Sequence, residues 1–560
     1  VRLVARGVYR RVRPYWSEAS VAPFAELAAA IHHEQAEWEQ AKTQAAGQRV
    51  LIATSTGGNL PMSLMEATLG VGLTLRGAQV DYLLCDAALP ACLQASIQPH
   101  EDAVFTRDGI RPLACDACYS SGLQMLTPLG LSIQRYRAWL LSGEFGQVRA
   151  LAQTLSLAEL QTYHWQDISI GEHALAGTLR YFARGDLDGE PDALAVMRHY
   201  FVAALLTAYA VHRLLSQKPY DVVCFHHGIY VPQGVIGAVA RALGVRVVNW
   251  NPAYRKHCFI FSHTDTYHHT LMDEPTSLWE TMRWDDATEA DIMGYLKSRW
   301  DGAQDWIWFH NAPQFDPAKI STQTGIDFSK PTIALLTNVI WDAQLHYPAN
   351  AFPTMVAWLL ASIAYFHTRP DLQLVIRVHP AELRGAVPSR QRVVDEIAKH
   401  YPQLPPNVFV ISPDSDVSTY VLCSQCDSVL IYGTKTGVEL TSIGIPVIVA
   451  GEAWIRNKGI TYDASTQAEY FSLLEQLPLQ RRLDAPQIQR ARRYAYHFFY
   501  RRMIPLEFMK PTGGWPPYVP DIPDLAALRE GADSGFDVIC RGILDQQPFV
   551  FLREDSHAQP

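Results

Sequence analysis

Long hydrophobic runs are missing from this chain. No stretch approaches the roughly 18–20 uninterrupted apolar residues of a spanning helix, and no secretory apolar segment is recognisable. Cysteine is sparse, nine in 560 residues, which excludes a disulfide scaffold. A basic surplus is absent too: 47 Lys and Arg against 56 Asp and Glu leave a net charge of −9. That balance excludes a general nucleic-acid binder. Low-complexity tracts and repeats of short fixed period are lacking, so a solenoid is excluded. Together these absences predict a soluble protein of a reducing, cytoplasmic compartment.

What is present is an ordinary globular balance, 48 % apolar and 18 % charged, in a chain long enough for two to four domains. The first residues are the exception, with Arg2, Arg6, Arg10, Arg11 and Arg13 and no acid among 1–13. They read either as a frayed terminus or as a peripheral contact with the inner face of an anionic membrane. From Arg49 a pattern of buried strand, Gly-rich turn and helix begins. Val50–Ala53, Val80–Leu84, Tyr220–Phe225 and Val245–Trp250 read as strands, and 119–215 as mostly helical. A loop-like stretch over 301–330 separates this series from a second one. Its strands are Thr332–Leu336, Leu372–Val378, Asn407–Ile411, Ser428–Tyr432 and Pro446–Ala450. The expected fold is α/β, two doubly wound Rossmann-like halves with an interdomain cleft. The expected segments are 1–47 (basic and helical), 48–310 (acceptor half, with a Cys-containing insertion at 85–118), 311–485 (donor half) and 486–560 (helices packing back on the first half).

Three motifs at strand ends of the second half carry chemistry. In Arg377-Val378-His379-Pro380-Ala381-Glu382 the proline breaks the strand, and the guanidinium and imidazole suit a phosphate; a histidine that merely caps the strand is the plain alternative. In Gly433-Thr434-Lys435-Thr436-Gly437, followed by Glu439, small residues open a helix whose free N–H groups and hydroxyls would face an anion. Glu439 would bond ribose or simply favour the helix dipole. The third is the loop Gly451–Thr461, where Arg456 and Lys458 add positive charge; a solvated surface loop is its alternative.

The order of these motifs, with Gly444-Ile445-Pro446-Val447 and Lys458-Gly459-Ile460-Thr461-Tyr462-Asp463, resembles the bacterial capsule polysaccharide biosynthesis proteins, a GT-B glycosyltransferase group that includes the Kdo transferases. Asn338 to Gln344 is similar to members of the same group, and the resemblance spans about 330–465. It implies transfer of a sugar from a nucleotide-sugar donor to a surface polysaccharide or glycolipid. The implied donor site comprises Asn338, Arg377, His379, Glu382, Gly433, Thr434, Lys435, Thr436, Gly437, Glu439 and Lys458. Cationic groups would neutralise the leaving phosphate, so no catalytic metal is expected. Gly-Thr-Lys-Thr stands where a Ser-rich turn is usual, which leaves CMP-, UDP- and GDP-linked donors open. An epimerase or hydrolase of nucleotide sugars shares the two-half fold. A silent scaffold binding a partner through 1–47 or 85–118 is the third alternative.

In the first half the acceptor hydroxyl needs a base, and His227 and Asp265 are the expected catalytic pair. Gly57, Gly58 and Asn59 form a loop facing the acceptor. Cys85, Cys92, Cys115 and Cys118 have the spacing C-x6-C-x22-C-x2-C, open to a structural zinc site, free thiols or a disulfide. Residues 487–503 are helical, aromatic and basic, suited to a membrane surface or to packing on the first half.

Overall fold

The computed structural model describes residues 22–97, 102–110, 112–300, 304–306, 313–342, 349–385, 387–479, 482–514 and 516–553. The arginines of the first thirteen residues, with Ala343 and Gln344, lie outside these residues. The chain forms two compact units. One comprises 1–181, 188–267 and 503–560, and the other 182–187 and 268–502.

The first unit is built on β1 (Arg49–Ser55), β2 (Gln79–Leu84), β3 (Ser132–Arg135), β4 (Val222–His226), β5 (Arg246–Pro252) and β6 (Cys258–His263). Their order is β3-β2-β1-β4-β5-β6, with the short strand Ile504–Pro505 beyond β6. All pairings from β3 to β5 are parallel, whereas β6 runs antiparallel to β5. Parallel strands need helical crossovers and burial on both faces. They obtain these from α1 (Leu60–Leu75), α2 (Pro112–Leu126), α3 (Ala193–Gln217) and α4 (Gln233–Ala242). β1 and β4 are accordingly continuous apolar runs, and Val50, Leu51, Ile52, Val222 and Val223 are fully buried. Among the described residues α3 alone is long and apolar enough to cross a membrane by composition, and 72 % of its apolar window is buried in the protein.

The second unit has β7 (Thr332–Leu336), β8 (Gln373–Arg377), β9 (Val408–Ile411), β10 (Ser428–Ile431), β11 (Val447–Val449) and β12 (Tyr462–Asp463), all parallel, in the order β9-β8-β7-β10-β11-β12. Helices α5 (Asp286–Ser298), α6 (Met355–His367), α7 (Thr436–Ser442) and α8 (Ala485–Tyr496) belong to it. Its core gathers Trp358, Leu359, Phe366, Leu374, Ile376 and Tyr470. Both sheets reverse their winding once, between β1 and β4 in the first and between β7 and β10 in the second. In open α/β sheets ligands bind outside the carboxyl ends of the strands at this switch.

The two doubly wound halves are as expected, but their boundaries differ. Residues 268–300 and 485–502 belong with the second unit, and 503–560 with the first. β3 was hidden in a stretch read as helical because Ser132-Ile133-Gln134-Arg135 is too polar to stand out. β6 was hidden because its apolar run passes directly into the polar Ser262–His268.

Candidate functional site

The switch point of the second unit collects polar groups from three strand ends. Asn338 follows β7, and its side-chain Oδ1 accepts from the Gly433 N–H at 3.4 Å. His379 follows β8; its backbone N–H donates to Thr337 Oγ1 at 3.0 Å, and its Nδ1 accepts from the Ala381 N–H at 3.1 Å. A neutral imidazole whose Nδ1 accepts carries its proton on Nε2, so His379 offers a donor from the edge. Beyond β10, Gly433 to Thr436 are all half-buried. The Thr434 and Thr436 hydroxyls stand 3.1 Å apart, and Thr434 Oγ1 also accepts from the Thr436 N–H. Gly437 lets α7 sit close to the sheet, since a Cβ there would meet the Ile431 side chain at 2.7 Å and force it to shift. Tight packing of α7 on the sheet thus holds the loop in place.

Several residues expected to bind donor are otherwise engaged. Arg377 is buried, and its guanidinium donates to the Ser412 and Ser415 carbonyls and to Thr419 Oγ1. Burial, with Arg384 nearby, pushes its pKa down to about 10. Its work is to tie the loop after β9. Lys458 is equally buried and donates to the carbonyls of Met272 and Glu274 at 2.8 and 3.0 Å. Arg456 holds the carbonyls of Ala349 and Gly451. Glu382 accepts from the Val393 N–H at 3.0 Å, and burial pushes its carboxyl up to about 7.

Glu439, expected either to bond ribose or to favour the helix dipole, is engaged by neighbouring side chains. It is enclosed by Arg299 Nε at 3.0 Å, the Tyr420 hydroxyl at 2.5 Å and Lys435 Nζ at 3.5 Å. Burial raises its carboxyl, but Arg299 and Lys435 together hold it below its ordinary value. Lys435 is the one donor-site cation that keeps partial exposure, and it is paired with Glu439. The anionic counterpart that sequence reasoning missed is Glu452. Its Oε1 accepts from the Ala349 N–H at 2.6 Å, and its backbone carbonyl lies 3.5 Å from where a Gly433 Cβ would sit. It stood in the third motif, valued there only for its cations.

The first unit's switch point has a different character. His227 is half-buried in the left-handed region (φ 71°), followed by Gly228 at φ 86°. Backbone strain of this kind is concentrated at functional sites. Its ring lies 4.8 Å from Tyr230 and 5.5 Å from His226. Across the switch, Gly57 and Gly58 press against α2, where a Cβ on Gly57 would meet Gly122 at 2.6 Å. Behind this rim sits Glu66, also missed, though it is the sole charged residue of α1. Its Oε1 accepts from Trp250 Nε1 at 3.1 Å. Burial pushes its carboxyl up to about 7, opposed by hydrogen bonding from Trp250, Thr54 and the His226 backbone. Burial also drives His226 down to about 3, so that imidazole is neutral. The Gln233 side chain, at the start of α4, is buried with no partner for either amide atom.

Asp265 is not part of this rim. β6 runs antiparallel, so its end pairs with the start of β5, His263 opposite Val248. Asp265 therefore lies at the amino edge of the sheet, 3.5 Å from Arg241 at the end of α4. The basic segment of α8 is likewise committed within its own unit. Arg490 and Arg492 pair with Glu280 and Glu289, Arg493 and Arg501 bind carbonyls of 278–282, and Arg502 meets Glu274 at 2.9 Å. All of these partners belong to the second unit. The chain has two Asp-x-Asp triplets, 186–188 and 414–416. Asp186 takes Arg184 and Gln391, and Asp414 takes Ser412.

Comparison with known proteins bears on the second unit. Residues 323–490 match the family described as capsule polysaccharide biosynthesis protein. No curated protein matches the chain. Among solved structures, the β-Kdo 2,4-transferase of Thermosulfurimonas dismutans KpsC is similar at 13 % identity, over 50 % of this chain and 81 % of that one, with a TM-score of 0.34. The calicheamicin glycosyltransferase CalG4 is similar at 13 % identity over 80 % and 94 % (TM-score 0.26). The UDP-GlcNAc 2-epimerase of Methanocaldococcus jannaschii is similar at 10 % identity over 80 % and 98 % (TM-score 0.27). The motifs at the second switch point fall inside the residues that match this family, 323–490.

Proposed function

We propose that this protein is a glycosyltransferase of capsule or surface-glycan synthesis, moving a sugar from a nucleotide-sugar donor to a glycan or glycolipid acceptor in the cytoplasm. The observation that carries the reading is the convergence of Asn338, His379 and the Gly433–Thr436 loop at one switch point, inside the residues that match the capsule polysaccharide biosynthesis family. Glycosyl displacement needs stabilisation of the departing phosphate. His379 Nε2–H, the two threonine hydroxyls and the loop N–H groups supply neutral donors for it. Arg377, Arg456 and Lys458 are tied to backbone carbonyls and Lys435 is paired with Glu439, so these neutral donors are the groups left to meet the phosphate, and the choice among CMP-, UDP- and GDP-linked donors stays open. His227, on the rim of the first unit, is the candidate base for the acceptor hydroxyl.

Thermal-shift measurements with CMP, UDP and GDP, followed by turnover of the matching nucleotide sugar, test the reading. One nucleotide is expected to raise the Tm, and His379→Ala to remove that shift. Consumption of donor without acceptor, giving an epimer or free sugar, would replace transfer by epimerisation or hydrolysis. No shift with any nucleotide would leave a scaffold as the better description.

A further inference from the structure

In the first unit Cys85, Cys92, Cys115 and Cys118 are free thiols, and among the described residues no three Cys, His, Asp or Glu are placed to hold a metal ion. The group left open for a ligand lies in the second unit. Of the three carboxyls in its motifs, Glu439 is enclosed by Arg299, Tyr420 and Lys435, and Glu382 is wholly buried. Glu452 differs. Its Oε1 accepts from the Ala349 N–H at 2.6 Å, while the other oxygen takes no hydrogen bond from any described residue and keeps contact with solvent.

The loop that carries this carboxyl is fixed at the second switch point. Glu452 follows β11, and β11 lies beside β10 in the sheet. The loop presses on the end of β10, since a Cβ on Gly451 would meet the Tyr432 carbonyl oxygen at 2.4 Å. The Glu452 N–H donates to Asn350 Oδ1 at 2.8 Å. Arg456 donates to the carbonyls of Ala349 and Gly451 at 2.9 and 3.0 Å, so one guanidinium braces both the residue that anchors the carboxyl and the residue before it. Asn338 Nδ2 and the Glu452 carbonyl oxygen lie 3.4 and 3.5 Å from the point where a Gly433 Cβ would sit. The loops after β7, β10 and β11 therefore meet at Gly433, beside the donors assigned to phosphate. A carboxyl held by second-shell contacts of this kind is preorganised for a ligand.

An oxygen that can only accept does not serve the phosphate, which has no hydrogen to give. Hydroxyl groups do have one, and a carboxylate makes stronger hydrogen bonds to them than a neutral acceptor makes. A site built to bond a hydroxyl also rejects analogues that lack it. We propose that Glu452 determines donor specificity by accepting a hydrogen bond from a hydroxyl of the bound nucleotide sugar, on the ribose or on the sugar to be transferred. The inference rests on the glycosyl-transfer reading.

Two measurements on the full chain test it: calorimetric titration with whichever of CMP, UDP and GDP raises the Tm, and the KM for the matching nucleotide sugar. Glu452→Ala should weaken one of the two by about tenfold or more. Glu452→Gln keeps an acceptor for the Ala349 N–H and sets an N–H where the open oxygen stood, so it should show the same loss. It decides should Glu452→Ala fail to fold. A hydroxyl on the ribose appears as lost nucleotide affinity, with the 2′- or 3′-deoxy nucleotide binding wild type and variant equally weakly. A hydroxyl on the transferred sugar appears as a raised KM with nucleotide affinity intact. Affinity and KM both unchanged in folded variant would overturn the proposal and leave the transfer reading standing. A wild type whose Tm no nucleotide shifts would overturn the transfer reading, and this inference with it.

Discussion

The two sheets share one winding, three strands out and three back, and carry different chemistry at the point of reversal. In the second unit the edge groups are half-exposed donors, His379, Thr434 and Thr436, fixed by short bonds to their own loops. In the first unit the half-exposed rim is thin, His227 with Gly58 and Gly228. The polar groups behind it, Glu66, His226 and Gln233, are buried. Topology therefore selects the place of a site, and the loop residues select what it can hold. The second edge is equipped for an anion through neutral donors. On the proposed reading, the first serves the acceptor hydroxyl through His227.

The largest effect that would break this contrast is on turnover. His379→Ala should lower turnover by about 100-fold or more and remove the Tm shift that the nucleotide gives. His227→Ala should lower acceptor transfer by about 100-fold while leaving nucleotide binding intact. Equal loss of nucleotide binding in both variants, read by calorimetry, would erase the distinction between the edges.

Next come the buried charges of the second unit. Glu439→Ala removes the shared carboxylate partner of Lys435 and Arg299, leaving Arg299 paired with Asp305, and should cost up to about 3 kcal/mol, measured by denaturant unfolding. A ribose-binding role would instead show as lost donor affinity at unchanged stability.

Each unit holds one carboxyl pushed up to about 7, Glu66 in the first and Glu382 in the second. A raised folded pKa means that the native state holds the proton more tightly than the unfolded chain does. The stabilisation is full below about 4.5 and is lost as pH rises to about 7. A rise from 4.5 to about 7 corresponds to roughly 3 kcal/mol for each group. Glu66→Gln and Glu382→Gln should each flatten that part of the stability–pH profile, and the double variant should flatten both contributions. The smallest expected effect is Gln233→Leu. Removing an amide that has no partner should stabilise the protein by about 1 kcal/mol, and a drop in Tm would reveal a hidden partner.

Much of the scaffold was legible in the sequence, because buried parallel strands are written as short apolar runs ending in Gly- or Pro-bearing turns. Thr332–Leu336 is a case where run and strand coincide. The place of the candidate site in the second unit was legible for the same reason: His379-Pro380 and Gly433-Thr434 stand where strands must stop. What was not legible is how the cations are spent. Arg377 finds its carbonyl partners 35 and 38 residues onward, and Lys458 finds its own 184 and 186 residues back. No local pattern encodes those contacts. Asp265 failed for a topological reason, since one antiparallel strand moves the residue after it to the opposite edge. Glu66 was visible as a lone acid in an otherwise uncharged helix, which is a signal of a buried titrating group.

The account stands most directly on where a nucleotide binds. Amide hydrogen exchange, with and without the nucleotide that raises the Tm, reads both edges in one experiment. Protection at Asn338 and Gly433–Thr436, with the Thr56–Asn59 and His227–Gln233 segments unchanged, is the predicted result. Protection confined to the first unit, with none at the second switch point, would contradict it.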